Sequence, residues 1–177
     1  GKRILLSLLL LPIMVSPALL GIMFRLMLNS FVGPIAYYMD QVGLPGDRLL
    51  TPDYLFFTLI VIDVAQWTPF VFIILYSALQ TVPKELYEAA AVDGATAWQK
   101  LISITIPIIT PFLWIAVLLR AIDSFKVFDM IHVLTGGGPG TLTTSISIYV
   151  YKLAFLTGEV GRASAASILL LLVFSLP

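Results

Sequence analysis

Long apolar runs without charged residues dominate the sequence and predict membrane-spanning helices. A helix needs about 20 mostly apolar residues to cross the hydrocarbon core of a bilayer. The sequence predicts four such spans, at about residues 4–28, 54–80, 107–134 and 162–177. We therefore predict an all-α protein, a polytopic membrane helix bundle.

The two ends of the chain indicate a piece of a longer protein. The chain starts with Gly1 instead of Met, and its last apolar run, residues 163–177, holds 15 residues. Such a run forms about 23 Å of helix, which is shorter than a hydrocarbon core of about 30 Å. We expect residues 1–177 to form one membrane domain that is truncated at both ends.

The composition agrees with a membrane protein and excludes several functional classes. Hydrophobic residues make up 59% of the chain and charged residues 11%, whereas a soluble domain carries about 25% charged residues. The net charge of zero argues against a nucleic-acid partner, because phosphate binding requires an excess of basic residues. With no cysteine and a single histidine, His132, the chain offers no disulfide, no thiol nucleophile and no His-rich metal site.

The connector between the second and third spans, residues 81–106, predicts two short helices. Pro83 suits the first turn of a helix, and helix-forming residues follow it, three of them consecutive alanines. Gly94 stands where a left-handed C-cap is expected, and Thr96 and Gln99 have the spacing of a capping box. The spacing alone leaves two interpretations open: an ordinary surface connection, or a helix that another protein's backbone approaches closely.

Ionisable residues inside the predicted spans form a second pattern. Arg120, Asp123, Lys126 and Asp129 alternate in sign at a spacing of three, so that neighbours on a helix can pair. Charges at membrane depth usually face the interior of a bundle or a wet cavity. A structural ion-pair series and a polar lining for a hydrophilic solute both remain open.

Polar and aromatic residues in the second and third spans have the chemistry of a sugar site. Sugar hydroxyls require hydrogen-bond donors and acceptors, and the C–H side of a sugar ring requires a flat aromatic face. The predicted substrate pathway consists of Asp63, Gln66, Trp67, Asp123, Phe125 and Lys126. The acidic members favour a neutral sugar, whereas the basic residues leave an anion such as glycerol-3-phosphate open.

The segment after the third span predicts a turn followed by a helix at the membrane interface. Residues 136–140 read Gly-Gly-Gly-Pro-Gly and lack the Gly-Lys-Ser/Thr ending of a phosphate loop, so we predict a turn. Beyond it, four residues share one helical face, which suits an interfacial helix. They are Ile146, Tyr149, Val150 and Leu153.

Two separated motifs carry a resemblance to a known family. Glu88-Ala89-Ala90, followed at the right spacings by Gly94 and by residues 104–107, resembles the EAA signature of ABC importer permeases, with Ile106 in place of Leu. Residues 128–140 resemble the carbohydrate branch of that family. The resemblance covers essentially the whole chain and is strongest to maltose-, trehalose- and glycerol-3-phosphate-type permeases.

The resemblance implies a fold, an orientation and a docking element. Such permeases typically have six spans, so this chain is similar to about spans three to six of a type I ABC importer transmembrane domain. In the family the signature loop is cytoplasmic, which places the predicted interfacial helix on the extracytoplasmic side. The loop's first helix resembles the coupling helix that docks on the ATPase, with the docking residues Glu88, Ala89, Ala90, Asp93 and Gly94.

The resemblance also implies partners, a location and an activity. The working unit would contain ATPase subunits that bind ATP and Mg, a second permease subunit and an extracytoplasmic solute-binding protein, in a bacterial or archaeal cytoplasmic membrane. This chain would be no enzyme and would carry no cofactor, while it moves a sugar or related polyol by alternating access. One rival is an ion-coupled secondary transporter that uses buried carboxylates. The other is a membrane enzyme using Asp123 and Asp129, which lie about 9 Å apart along a helix axis without a nucleophile or metal site.

Overall fold

The described chain consists of helices and the turns that connect them. The computed structural model describes residues 2–175, and no strand occurs among these residues, which confirms the all-α prediction. The last two residues of the fourth predicted span, 176 and 177, lie outside the described residues. The helices are α1 (Lys2–Met14), α2 (Pro17–Met27), α3 (Pro34–Gln41), α4 (Pro52–Gln80), α5 (Lys84–Val92), α6 (Ala97–Lys100), α7 (Ile106–Phe125), α8 (Asp129–Thr135), α9 (Ile146–Tyr151) and α10 (Val160–Ser175).

Two continuous helices within residues 2–175 are long and apolar enough to cross a membrane. One is α4, and the other is the run Ala97–Phe125, in which a π-helical turn at Leu101–Thr105 joins α6 to α7. Each has 29 residues and is about 44 Å long, more than a hydrocarbon core of about 30 Å. A third span results if Leu6–Met14 and Pro17–Met27 are counted together.

Two predicted spans are interrupted in the structure. The segment 4–28 breaks after Met14, where Ser16 caps a new helix by accepting a hydrogen bond from the backbone N–H of Leu19 at 3.3 Å. Pro17 then occupies the first helical position, which suits a residue without an N–H. The segment 107–134 breaks after Phe125, and α8 starts separately.

The third predicted span also starts earlier than expected. The helix begins at Ala97, so that residues 97–106 of the predicted connector continue directly into α7. Pro107 has no N–H to bond the carbonyl four residues earlier. The helix passes through the wider π-helical turn Leu101–Thr105 immediately before this proline.

The second of two compact units contains the main hydrophobic core. This unit comprises Met14–Ala65 and the described residues from Ile122 onward, and its core residues come from α2, α4 and α8. Gly21 lets α2 and α8 approach, because a Cβ there would lie 2.9 Å from the Met130 carbonyl oxygen. The buried core residues are Leu20, Leu28, Leu55, Leu59, Ile62, Met130 and Leu134.

The first unit comprises the described residues up to Ile13 together with Gln66–Ala121. Its buried side chains include small and medium residues such as Ala78, Val82 and Ala116. The outer surface of α7 is strongly apolar, with exposed Leu113, Trp114, Val117 and Leu118. An exposed apolar surface of this kind is typical of contact with lipid or another protein.

Candidate functional site

Helix α5 presents its surface to the exterior of the first unit. None of its residues, Lys84–Val92, is buried, and Val92 is 88% exposed. The predicted docking residues Glu88 and Ala89 are exposed, and Ala90 is half-buried. The helix therefore offers a partner a narrow surface of small apolar side chains bordered by carboxylates.

The predicted left-handed C-cap at Gly94 is confirmed. Gly94 has a φ of +74°, and its N–H donates to the Ala91 carbonyl at 3.1 Å. The N–H of Ala95 donates to the Ala90 carbonyl at 2.9 Å, which completes a Schellman motif. A Cβ on Gly94 would meet nothing within 4 Å, so the need for glycine comes from the backbone conformation and not from a neighbouring atom.

One aromatic side chain ties α5 to the membrane helix that follows it. The Tyr87 hydroxyl lies 2.7 Å from Thr105 Oγ1, and Thr105 is buried in the π-helical turn. The sequence interpretation missed Tyr87, although it is the only aromatic residue of α5. The contact gives α5 a fixed attachment on one side while its remaining surface stays exposed.

The turn from α5 into α6 is held by the predicted capping box. The N–H of Thr96 donates to Gln99 Oε1 at 2.7 Å, and the N–H of Gln99 donates to Thr96 Oγ1 at 3.3 Å. These reciprocal bonds satisfy N–H groups that the start of a helix otherwise leaves unpaired. Local hydrogen bonds therefore define both α5 and the helix start behind it.

A separate cavity of about 440 Å³ lies within the second unit. Its volume falls in the range of about 300–1,000 Å³ that small-molecule sites occupy. Asp63 supplies its one carboxylate, and the other polar side chains in its lining all carry hydroxyl groups. The lining residues are Phe56, Leu59, Ile60, Asp63, Ser124, Val127, Met130, Ile131, Leu142, Thr143, Thr144 and Ser145.

Two further residues of the predicted substrate pathway belong to the first unit. Gln66 is buried. The Trp67 ring lies beneath the Arg120 guanidinium, whose central carbon is 4.6 Å from the ring centroid. Phe70 meets the same ring edge-to-face at 6.1 Å. The Trp67 ring face is thus occupied by a cation, an arrangement that is favourable for aromatic rings.

The charge series of the third predicted span is formed only in part. Lys126 Nζ lies 3.0 Å from Asp123 Oδ1, as the spacing of three residues predicts. Asp129 starts α8 after the helix break, so it no longer continues the helical row. Phe125 is 56% exposed and the Lys126 side chain 63% exposed. These last two pathway residues lie on the exterior of the second unit.

The sequence interpretation missed the hydroxyl residues of the cavity. Thr143 Oγ1 donates to the Gly138 carbonyl at 2.8 Å, and Thr144 Oγ1 donates to the Gly137 carbonyl at 2.9 Å. These bonds hold the predicted turn, which begins at Gly136 with a φ of +65°. The run of threonine and serine directly after the glycines was the available signal.

His132 lies in a cluster of aromatic rings. Its ring stacks on Phe128 at 4.8 Å and meets Tyr151 edge-on at 5.1 Å. His132 is therefore packed among aromatic side chains. In helix α9, Ile148 is fully buried and Tyr149 is 54% exposed, so this tyrosine can face a membrane interface.

Within the described residues, no group of three or more His, Asp and Glu side chains could hold a metal ion.

The fold of the chain agrees with comparisons to known proteins. The chain is 41% identical over 170 residues to the trehalose/maltose transport system permease protein MalF of Thermococcus litoralis, covering 96% of this chain and 57% of the relative. It is 30% identical over 174 residues to the sn-glycerol-3-phosphate transport system permease protein UgpA of Rhizobium meliloti, covering 98% and 59%. The chain thus spans somewhat more than half the length of these curated relatives.

A solved structure supports the same fold. The chain matches the crystal structure of a bacterial ABC transporter involved in the import of the acidic polysaccharide alginate, with a TM-score of 0.86 and 26% identity, over 98% of this chain and 61% of that chain. The family described as "Binding-protein-dependent transport system inner membrane component" matches residues 1–177. The chain therefore belongs to the family of binding-protein-dependent transport system inner membrane components.

Proposed function

We propose that the whole protein is the permease subunit of an ATP-driven, binding-protein-dependent importer. It carries a sugar or related polyol across a bacterial or archaeal cytoplasmic membrane by alternating access. The observation that carries this proposal is the exposed helix α5, which ends in the left-handed turn at Gly94 and belongs to a chain of this family. The names of the relatives, which refer to trehalose and maltose or to glycerol-3-phosphate, support a sugar-like solute.

In this proposal α5 is the coupling helix that docks in a groove of a separate ATPase subunit, which binds ATP and Mg. The small side chains of Ala89 and Ala90 let the helix seat deeply, and Glu88 and Asp93 pair with basic residues at the rim of the groove. Tyr87 passes the movement of α5 to the helix Ala97–Phe125 through its bond to Thr105. A second permease subunit and an extracytoplasmic solute-binding protein complete the assembly.

We further propose that the solute contacts the Asp63 cavity on its way through the membrane. A carboxylate and several hydroxyl groups among apolar side chains suit the mixed polar and apolar faces of a sugar. Gln66, Trp67, Asp123, Phe125 and Lys126 remain proposed members of the pathway. Asp63 has the strongest support, because it is the carboxylate that lines the cavity.

Reconstitution separates this proposal from the ion-coupled rival. In proteoliposomes that contain the complete transporter, the solute-binding protein and internal ATP, we expect uptake that stops when ATP is omitted. Collapsing the proton and sodium gradients with ionophores should leave this uptake unchanged. Uptake that continues without ATP and is lost with the ion gradient would establish the secondary transporter instead.

Cross-linking tests the docking role of α5 directly. Residues 1–177 contain no cysteine, so a single cysteine introduced there is unique within this segment. We expect Ala89→Cys and Val92→Cys, both at exposed positions, to form cross-links with the ATPase subunit in native membranes. Thr141→Cys, exposed on the glycine-rich turn, is the matched control and should form none. If the α5 cysteines never capture an ATPase, the importer proposal is wrong.

A further inference from the structure

The connector between α2 and α4 displays an apolar and aromatic surface that the transport proposal leaves unused. Phe31 is 93% exposed and Val32 78% exposed, and both precede α3. We name as the α3 surface the six large apolar and aromatic side chains of this connector that are more than half exposed. They are Phe31, Val32, Tyr37, Tyr38, Val42 and Leu44.

The backbone that carries the α3 surface has a defined shape. Asn29 Oδ1 accepts hydrogen bonds from the N–H groups of Phe31 at 2.9 Å and Val32 at 3.3 Å. Farther along, the N–H of Gly46 donates to Asp40 Oδ1 at 2.8 Å. A Cβ on Gly46 would collide with the carbonyl oxygen of Ala36, so the segment around Gly46 packs closely against α3. The exposed side chains are therefore presented by folded backbone.

Only one side of α3 is used for packing inside the second unit. Ala36 is 1% exposed, and Ile35 packs against the hydrophobic core formed by α2, α4 and α8. Tyr37 and Tyr38 point away from that core and meet edge-to-face, with ring centroids 5.5 Å apart. The helix thus has one face buried in the bundle and one exposed aromatic face.

Charge and position identify the occupant of this aromatic face as lipid. Between Arg25 and Asp47, Asp40 is the only charged residue, and its carboxylate already binds the Gly46 N–H. The connector leads directly into α4, which is long and apolar enough to cross the membrane, so it lies at the end of a span. Tyrosines are enriched at the membrane–water interface, and irregular backbone avoids the hydrocarbon core where lipid surrounds it.

We propose that the α3 surface lies in the headgroup region of the bilayer and anchors the second unit there. Phe31 and Val32 reach the upper acyl chains, while Tyr37 and Tyr38 lie at the level of the headgroups, as in an interfacial amphipathic helix. The proposal depends on the membrane location of the chain but not on its transport activity. The two can therefore fail independently.

Spin labelling of the complete transporter in phosphatidylcholine–phosphatidylglycerol nanodiscs tests this placement. Phe31→Cys and Tyr38→Cys are each labelled with a nitroxide, and collision rates with oxygen and with a water-soluble nickel chelate are measured. Two labelled control positions define the limits of the measurement. Val61→Cys, at an exposed position on α4, gives the collision rates of a lipid-facing label, and Thr141→Cys, next to the glycine-rich turn, gives those of a water-exposed label.

We expect oxygen collisions to exceed nickel collisions at positions 31 and 38, with a depth between those of the two controls. Nickel collisions that match those of Thr141→Cys at both positions would show a water-exposed surface and overturn the proposal. Protection of both labels from both reagents would show a protein contact, such as a second permease subunit, and would overturn it as well. ATP-dependent uptake by the same labelled variants reports separately on the transport proposal.

Discussion

Gly94→Leu is expected to reduce ATP-driven transport about five- to thirtyfold, while the membrane helices remain folded. Gly94 has a φ of +74°, and a residue with a Cβ pays roughly 1–2 kcal/mol in this left-handed conformation. A change of this size alters the population of the native turn by about five- to thirtyfold. The turn aligns α5, so its loss should leave ATP hydrolysis without solute movement.

Gly94→Asn is the matched control for this effect. Asparagine tolerates the left-handed conformation better than other residues with a side chain, and a Cβ at position 94 meets no atom within 4 Å. We therefore expect the asparagine variant to retain most of the transport rate. The measurement is the ratio of solute uptake to ATP hydrolysis in proteoliposomes. A leucine variant with a normal ratio and normal ATPase assembly would contradict the role of the turn.

Asp63→Ala is expected to raise the solute concentration needed for half-maximal transport about ten- to hundredfold. A hydrogen bond to a charged group contributes roughly 1.5–3 kcal/mol, and each 1.4 kcal/mol corresponds to about a factor of ten in affinity. Asp63 is the carboxylate of the cavity, so its removal withdraws the one charged acceptor in the cavity lining. Basal ATP hydrolysis should not change.

Two companion variants make the Asp63 measurement specific. Asp63→Asn keeps an acceptor oxygen but removes the charge, so a neutral sugar should recover part of its affinity, and an anionic solute should bind at least as well as before. Asp53→Asn changes an exposed carboxylate in the first turn of the same helix and should transport like the natural protein. Uptake kinetics over a range of solute concentrations provide the measurement. Unchanged kinetics in Asp63→Ala would remove Asp63 from the pathway.

The helices whose ends depend on local signals were predicted well. Gly94 and the pair Thr96 and Gln99 act through hydrogen bonds to backbone within a few residues, so their spacing in the sequence is enough to identify them. The helix α3 was missed, although Gly33 and Pro34 form a favourable start. Its eight residues are too short to give the long apolar run on which the span prediction depended.

The predicted substrate residues illustrate the limit of spacing. Asp63 and Thr143 line one cavity although 80 positions separate them in the chain. Phe125, in contrast, lies close in sequence to the cavity residue Ser124 but is largely exposed. Side-chain chemistry selected the right kinds of residue, but it did not show which of them face the same space.

The sequence by itself determined that the chain is helical, that it enters a membrane and that one connector forms a short helix ending in a left-handed turn at Gly94. Apolar length, capping residues and the EAA motif are properties of neighbouring residues, and no packing is needed to recognise them. Only the tertiary structure decided the helix break after Phe125, the bond between Tyr87 and Thr105, and the lining of the cavity. These features depend on which distant surfaces pack together, because burial and hydrogen-bond partners arise from contacts between helices and not from the order of residues within one helix.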